Sequence, residues 1–215
     1  MKWPFVAVSV VVILAGVIVM LLLHHHHRPA VPANLPAMKS SRDLLRTLAK
    51  AVREEDVGAA LYYGKVADDW QNAIAELLKG MHASWRLKQT LLRTHGTQAW
   101  STFIKIGEER HGVLLNVIPD EESWDREITP VVWPEQTRDE AFFSMKETGA
   151  DFRFISTGGA WFWDVRYGMG KFDPDDIIEL YSKLEKSINR ACDAAQQPNA
   201  KIEDVWEIVN GALKK

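Results

Sequence analysis

The sequence predicts an α+β domain carried behind one membrane-spanning helix, and three observations lead there. Residues Phe5 to Leu23 form nineteen consecutive positions without a formal charge. Two long stretches, 40–95 and 173–213, repeat apolar residues at spacings of three and four, the period of an amphipathic helix. Between them lie short segments rich in Val, Ile, Phe and Trp, punctuated by Gly, Pro and acidic clusters, the pattern of strands and turns. The expected architecture is N-terminal helices packed on a bent antiparallel β-sheet, followed by two C-terminal helices and preceded by one transmembrane helix. The chain divides into 1–27, an anchor with a His-rich flank; 28–39, a Pro-rich neck; and 40–215, the globular domain.

At 1.5 Å per residue, the nineteen uncharged residues make a helix of about 28 Å, the thickness of a bilayer's hydrocarbon core. A cleaved signal peptide is the competing reading, with Ala33 or Ala37 as small residues at the cut. Its apolar region normally runs about 7–15 residues, so the length favours an uncleaved anchor. No cysteine stands directly after the run, which excludes a lipoprotein anchor. Lys2 and the α-amino group oppose Arg28, Lys39 and Arg42 across the span, a count that tilts toward a cytoplasmic domain. The same layout also fits a signal anchor that exports the domain behind it. His24 to His27 read as a polar stop at the interface, since four adjacent imidazoles without a partner motif enforce no ligand geometry. Pro29, Pro32 and Pro36 favour an extended neck.

Ser40 or Ser41 caps the first helix, whose buried stripe is Leu44, Leu45, Leu48 and Val52. Asp56 caps a second, carrying Val57, Ala60, Leu61 and Tyr63 up to Gly64. The third and longest presents Trp70, Ile74, Leu77, Leu78, Met81, Trp85 and Leu92 before His95-Gly96 stops it. Strands are expected at 100–106, 113–118, 127–133 and 141–147. Gly158-Gly159 then form a two-residue hairpin turn, because glycine accepts positive φ at both positions. That turn fixes a register: Thr157 stands opposite Ala160, and the pairs Ser156–Trp161, Phe154–Trp163 and Phe152–Val165 fall on one face. Ile155–Phe162 and two ion pairs, Arg153–Asp164 and Asp151–Arg166, fall on the other. The last two helices start at Asp173-Pro174, with Ile177, Tyr181, Leu184, Ile188, Cys192 and Ala195, and carry Ile202, Val205, Trp206, Val209 and Leu213.

The step "REEDVGAALYY" between the first two helices and the hairpin "DFRFISTGGAWFWDV" together resemble the NTF2-like (SnoaL-type) cone, as found in small single-span bacterial proteins of unknown function. The resemblance covers at most Ser41 to Arg166. It implies helices packed into a bent antiparallel sheet, and a family that includes isomerases, dehydratases, ligand binders and structural modules.

With 26 Lys+Arg against 29 Asp+Glu, the net charge of -3 excludes the basic balance of a general nucleic-acid binder. A lone Cys192 excludes an internal disulfide, and no CxxC or Cys/His cluster offers a zinc site. No phosphate loop, nucleophile elbow, HExxH or Walker pattern occurs. The acidic run Asp120–Glu122 with Asp125 lacks calcium-ligand spacing. No catalytic residue, metal ligand or cofactor is therefore assigned. Trp161, Trp163, Tyr63 and His82 are the candidate ligand-binding residues. Against this, the alternating aromatics of the last strand are also what a small sheet needs for its core, one face on the long helix and the other on the C-terminal helices. The expected function is a membrane-anchored, non-catalytic module. It would contact the bilayer through residues 5–23 and bind a protein partner or small hydrophobic ligand. The alternative is a cone enzyme acting on a small hydrophobic substrate in a pocket between the long helix and the sheet.

Overall fold

A computed structural model describes residues 34–111, 128–132, 136–145, 151–167 and 172–213. The span Phe5–Leu23, the His24–His27 run, the first part of the neck, the expected strand at 113–118 and the acidic run 120–125 lie outside the described residues. Among the described residues, no helix is long and apolar enough to cross a membrane.

Helix α1, Ser41–Arg53, begins where Ser40 accepts the Asp43 backbone N–H at 3.1 Å and donates its hydroxyl to the Asp43 carboxylate at 2.7 Å. Leu44, Leu45, Leu48 and Val52 are buried, as the stripe requires. Helix α2, Val57–Tyr63, is capped by Asp56, which accepts from Ala59 at 3.0 Å. Helix α3 runs from Gln71 to His95 and ends at Gly96, φ 89°. Strands β1 (Ile128–Val131), β2 (Glu140–Met145), β3 (Asp151–Thr157) and β4 (Ala160–Trp163) form an antiparallel meander in that order. Helix α5, Pro174–Ala195, starts at Asp173, which accepts from Asp175 at 2.9 Å. Helix α6 is Ile202–Leu213.

The hairpin register is the one glycine chemistry dictates: Thr157 faces Ala160, Ser156 faces Trp161, Ile155 faces Phe162 and Phe154 faces Trp163. Gly158 and Gly159 sit at φ 62° and 79°. Pairing stops at Trp163, sooner than expected. Asp164 still donates its N–H to the Arg153 carbonyl at 2.9 Å, and Tyr167 then closes a turn onto Asp164. The Phe152–Val165 and Asp151–Arg166 pairs therefore do not form. Val165 goes into the core, while Arg166 lies over the Trp70 ring, 3.9 Å from Asp69.

The segment expected as a strand at 100–106 belongs instead to helix α4, Ala99–His111. Its β-branched and aromatic content suggests a strand, but Trp100, Phe103 and Ile106 are buried at steps of three. Phe103 stacks on Trp100 at 5.4 Å and meets Trp206 of α6 edge-on at 4.9 Å. Burial against α6 outweighs an intrinsic preference of a few tenths of a kcal/mol per residue.

Two cores result. The first joins α1, α2, the first half of α3 and the inner sheet face, with Phe143, Met145, Phe154 and Trp163. The second joins the rest of α3 with α4, α5 and α6 around Trp206, Phe103, Leu87, Leu91 and Ile188. The C-terminal helices pack chiefly on α3, α4 and each other rather than over the second face of the sheet. Helix α5 approaches α3 closely at Gly80, where a Cβ would lie 2.9 Å from Tyr181 Cδ1.

Candidate binding surfaces

Behind the last strand, the indole of Trp163 borders a cavity of about 20 Å³ between α1, α3 and the sheet, lined only by apolar side chains such as Leu45, Val52, Met81, Met145 and Phe152. A site of that size is at the threshold for one water, and a water needs two to four polar partners that this lining lacks. Small-molecule pockets run about 300–1,000 Å³. The space is a packing gap.

The other candidates from the sequence serve different contacts. Tyr63 is buried and donates its hydroxyl to the Pro36 carbonyl at 3.1 Å; Tyr62 donates to Leu35 at 3.2 Å, the two rings meeting edge-on at 5.3 Å. Burial raises the Tyr63 pKa, with Tyr62 adding to the shift. Trp161 donates its backbone N–H to Met38 at 2.9 Å, a one-residue bridge. Tyr63 and Trp161 thus both hold the end of the neck against the domain. His82 is not with them: its Nδ1–H donates to the Val52 carbonyl at 2.9 Å, and its Nε2 is 3.9 Å from the Glu55 carboxylate. His95 likewise donates Nε2–H to the Ala195 carbonyl at 2.9 Å. Each imidazole bonds a carbonyl in the last turn of a neighbouring helix; the Val52 carbonyl also accepts the Glu55 backbone N–H at 3.2 Å.

On the outer sheet face Arg153 bridges Glu140 and Asp164, the latter at 2.9 Å. This is the cross-strand ion pair expected from the register, extended to a third residue. The Arg153 hydrogen bond, with the Thr137 backbone N–H and hydroxyl, holds the Glu140 carboxyl down at about 2. Phe142 and Tyr167 pack edge-on at 5.6 Å beside the guanidinium.

A far larger concavity lies elsewhere. An open trough of about 960 Å³ runs between the outer side of α5 and the end of α6, with Phe172, Leu180 and Leu213 as its apolar wall and Lys183, Lys186 and Arg190 among its polar lining. Phe172 is 60% and Leu180 45% exposed, high values for such side chains. The sequence holds a weak trace of this. Phe172 precedes the cap of α5, the position of a hydrophobic staple, yet stays exposed. Leu180 sits at the edge of the buried stripe, about 60° from its centre at 100° per residue.

No family model, curated protein or solved structure matches this chain. Among the described residues, no group of three or more His, Cys, Asp or Glu side chains could hold a metal ion. Cys192 is buried, and burial pushes its thiol up to about 11, away from the thiolate a nucleophile needs.

Proposed function

We propose that this chain is a single-pass, membrane-anchored, non-catalytic module that binds a protein partner in the trough between α5 and α6. Residues 5–23 supply the anchor. The observation that carries the reading is the placement of space: the gap behind Trp163 is about 20 Å³ and apolar, whereas the trough is about 960 Å³ with a mixed apolar and charged lining. Catalysis on a small hydrophobic substrate in a cone needs an enclosed pocket with at least two titratable groups in hydrogen-bond contact. The gap between the long helix and the sheet offers neither the volume nor the groups. A partner segment, by contrast, can set apolar side chains against Phe172 and Leu180 and polar ones against the mixed-charge rim of Asp176, Glu179, Lys183 and Lys186, the usual division of an interface into core and border.

The test is photo-crosslinking in native membranes, with a benzophenone side chain in place of Leu180 and, as control, of Phe162 on the sheet. A discrete adduct from position 180 that is lost on Phe172→Asp, with none from 162, is expected. Adducts from 162 and not 180 would refute the trough. A gain in melting temperature with a small hydrophobic ligand, absent in a Trp163→Ala variant, would favour the enzyme reading.

A further inference from the structure

The side of α5 that lines the trough carries its charges in two blocks. At 100° per residue, Asp176, Glu179, Leu180, Lys183, Lys186 and Arg190 fall within an arc of about 120°, and all six are exposed. Within that arc the carboxylates occupy the N-terminal half and the cations the C-terminal half; Asp175, Glu185 and Asp193 fall outside it. The helix dipole alone favours such an order of charges. It does not account for the apolar side chains set among them. Among the described residues, Phe172 and Leu180 are two of four exposed large hydrophobic side chains, and both border this trough.

Turned end for end, this face matches itself. Let two copies of α5 pack antiparallel and cross level with residue 181, at the shallow angle common between long helices. Glu179 then comes opposite the partner's Lys183, and Asp176 opposite the partner's Lys186. Phe172, just ahead of the helix, comes level with the partner's Arg190, and Leu180 meets its own image at the centre. Each charge pair occurs twice by symmetry, as in any isologous interface. Glu179 and Lys183 already bond along the helix, yet both side chains are at least 60% exposed. Laid against its own reversed copy, that pair becomes a ring of four alternating charges, and neither residue gives up its present partner. Arg190 likewise keeps its bond to Ser187, because a guanidinium attracts a ring through its face. Crossing level with residue 183 instead would set Lys183 against Lys183, so the charges select one register.

We propose that the occupant of the trough is a second copy of this chain, docked by antiparallel pairing of α5 about a two-fold axis. Each copy's α5 then lies along the other's trough, with Leu180 at the centre and the charges flanking it. This rests on the reading of the trough as a protein-binding surface and names its partner.

The experiment uses the full chain in detergent solution, carrying Leu180→Cys and oxidised with copper phenanthroline. A residue beside the two-fold axis meets itself, so a disulfide-linked dimer is expected; Lys105→Cys on α4, 70% exposed, gives none, and the buried Cys192 does not react. In the chain without added cysteine, Asp176→Lys or Lys186→Glu alone should raise the dimer Kd about tenfold, since each reversal turns two attractive pairs repulsive. Asp176→Lys/Lys186→Glu should restore it. Sedimentation measures all three. The two positions stand about 15 Å apart on one helix, beyond a Debye length, so rescue by the double variant acts across the interface and not within a chain. No dimer from Leu180→Cys, or a Kd indifferent to the single reversals, overturns the pairing. If position 180 nonetheless crosslinks a different protein in native membranes, the trough reading survives without it; if it captures nothing there either, both fall.

Discussion

Gly80→Ala offers a test of how α3 and α5 are held together. In an exposed helix interior this change stabilises by about 1 kcal/mol, because alanine has less backbone entropy to lose. Here the new Cβ would lie 2.9 Å from Tyr181 Cδ1, while non-bonded carbons settle at about 3.5–4.0 Å. The Tyr181 Cβ would lie in ordinary contact with it at 3.9 Å, so relief requires the ring to rotate or α5 to retreat by about 0.6 Å or more. Tyr181 packs against both cores, so it has little room to move. Overpacking of this kind costs about 1–3 kcal/mol. The expected net effect is a loss of about 1 kcal/mol, or about 2–4 °C in melting temperature for a chain of this size. Tyr181→Ala removes the obstacle, so adding Gly80→Ala in that background should stabilise by about 1 kcal/mol. The cycle therefore yields a coupling of about 2 kcal/mol. Denaturant unfolding of the four proteins measures it. Stabilisation by Gly80→Ala in the unmodified background would refute the close-approach account.

Gly159→Ala should cost about 1–2 kcal/mol through the backbone alone, since φ is 79° and nothing lies within 4 Å of the added Cβ; Gly159→Asn should cost less, and thermal melts of the two separate strain from crowding. Glu140 has its pKa depressed to about 2, mainly by Arg153, so its contribution is fully present above the ordinary glutamate pKa of about 4.3 and is lost as pH falls through about 2. Glu140→Gln should therefore be less stable than the parent at pH 7, with the gap closing between about pH 4 and 2; urea midpoints that stay equally far apart down to pH 3 would disprove the assignment.

Helix boundaries and the hairpin were readable because their causes are local. Ser40, Asp56 and Asp173 cap the helices they precede by bonding to backbone two or three residues on, and Gly158-Gly159 set a cross-strand register without help from the rest of the chain. Helix α4 was not readable in this way. Trp100, Phe103 and Ile106 satisfy both a strand-like composition and a helical spacing, and Trp206, about a hundred residues away, decides between them. The site candidates fared similarly. Aromatic and imidazole residues mark places where binding is chemically possible. Whether a group is already engaged depends on distant carbonyls, those of Pro36 for Tyr63, Val52 for His82 and Ala195 for His95.

By itself, the sequence determined the uncharged run, the helix caps and the glycine hairpin, because each depends on residue identity and spacing alone. The tertiary structure decided that α4 is a helix, that the space behind Trp163 closes to about 20 Å³, and that the open concavity lies between α5 and α6. Those outcomes depend on how closely non-adjacent surfaces can approach. Packing density is a property of pairs of elements, and no single segment encodes it.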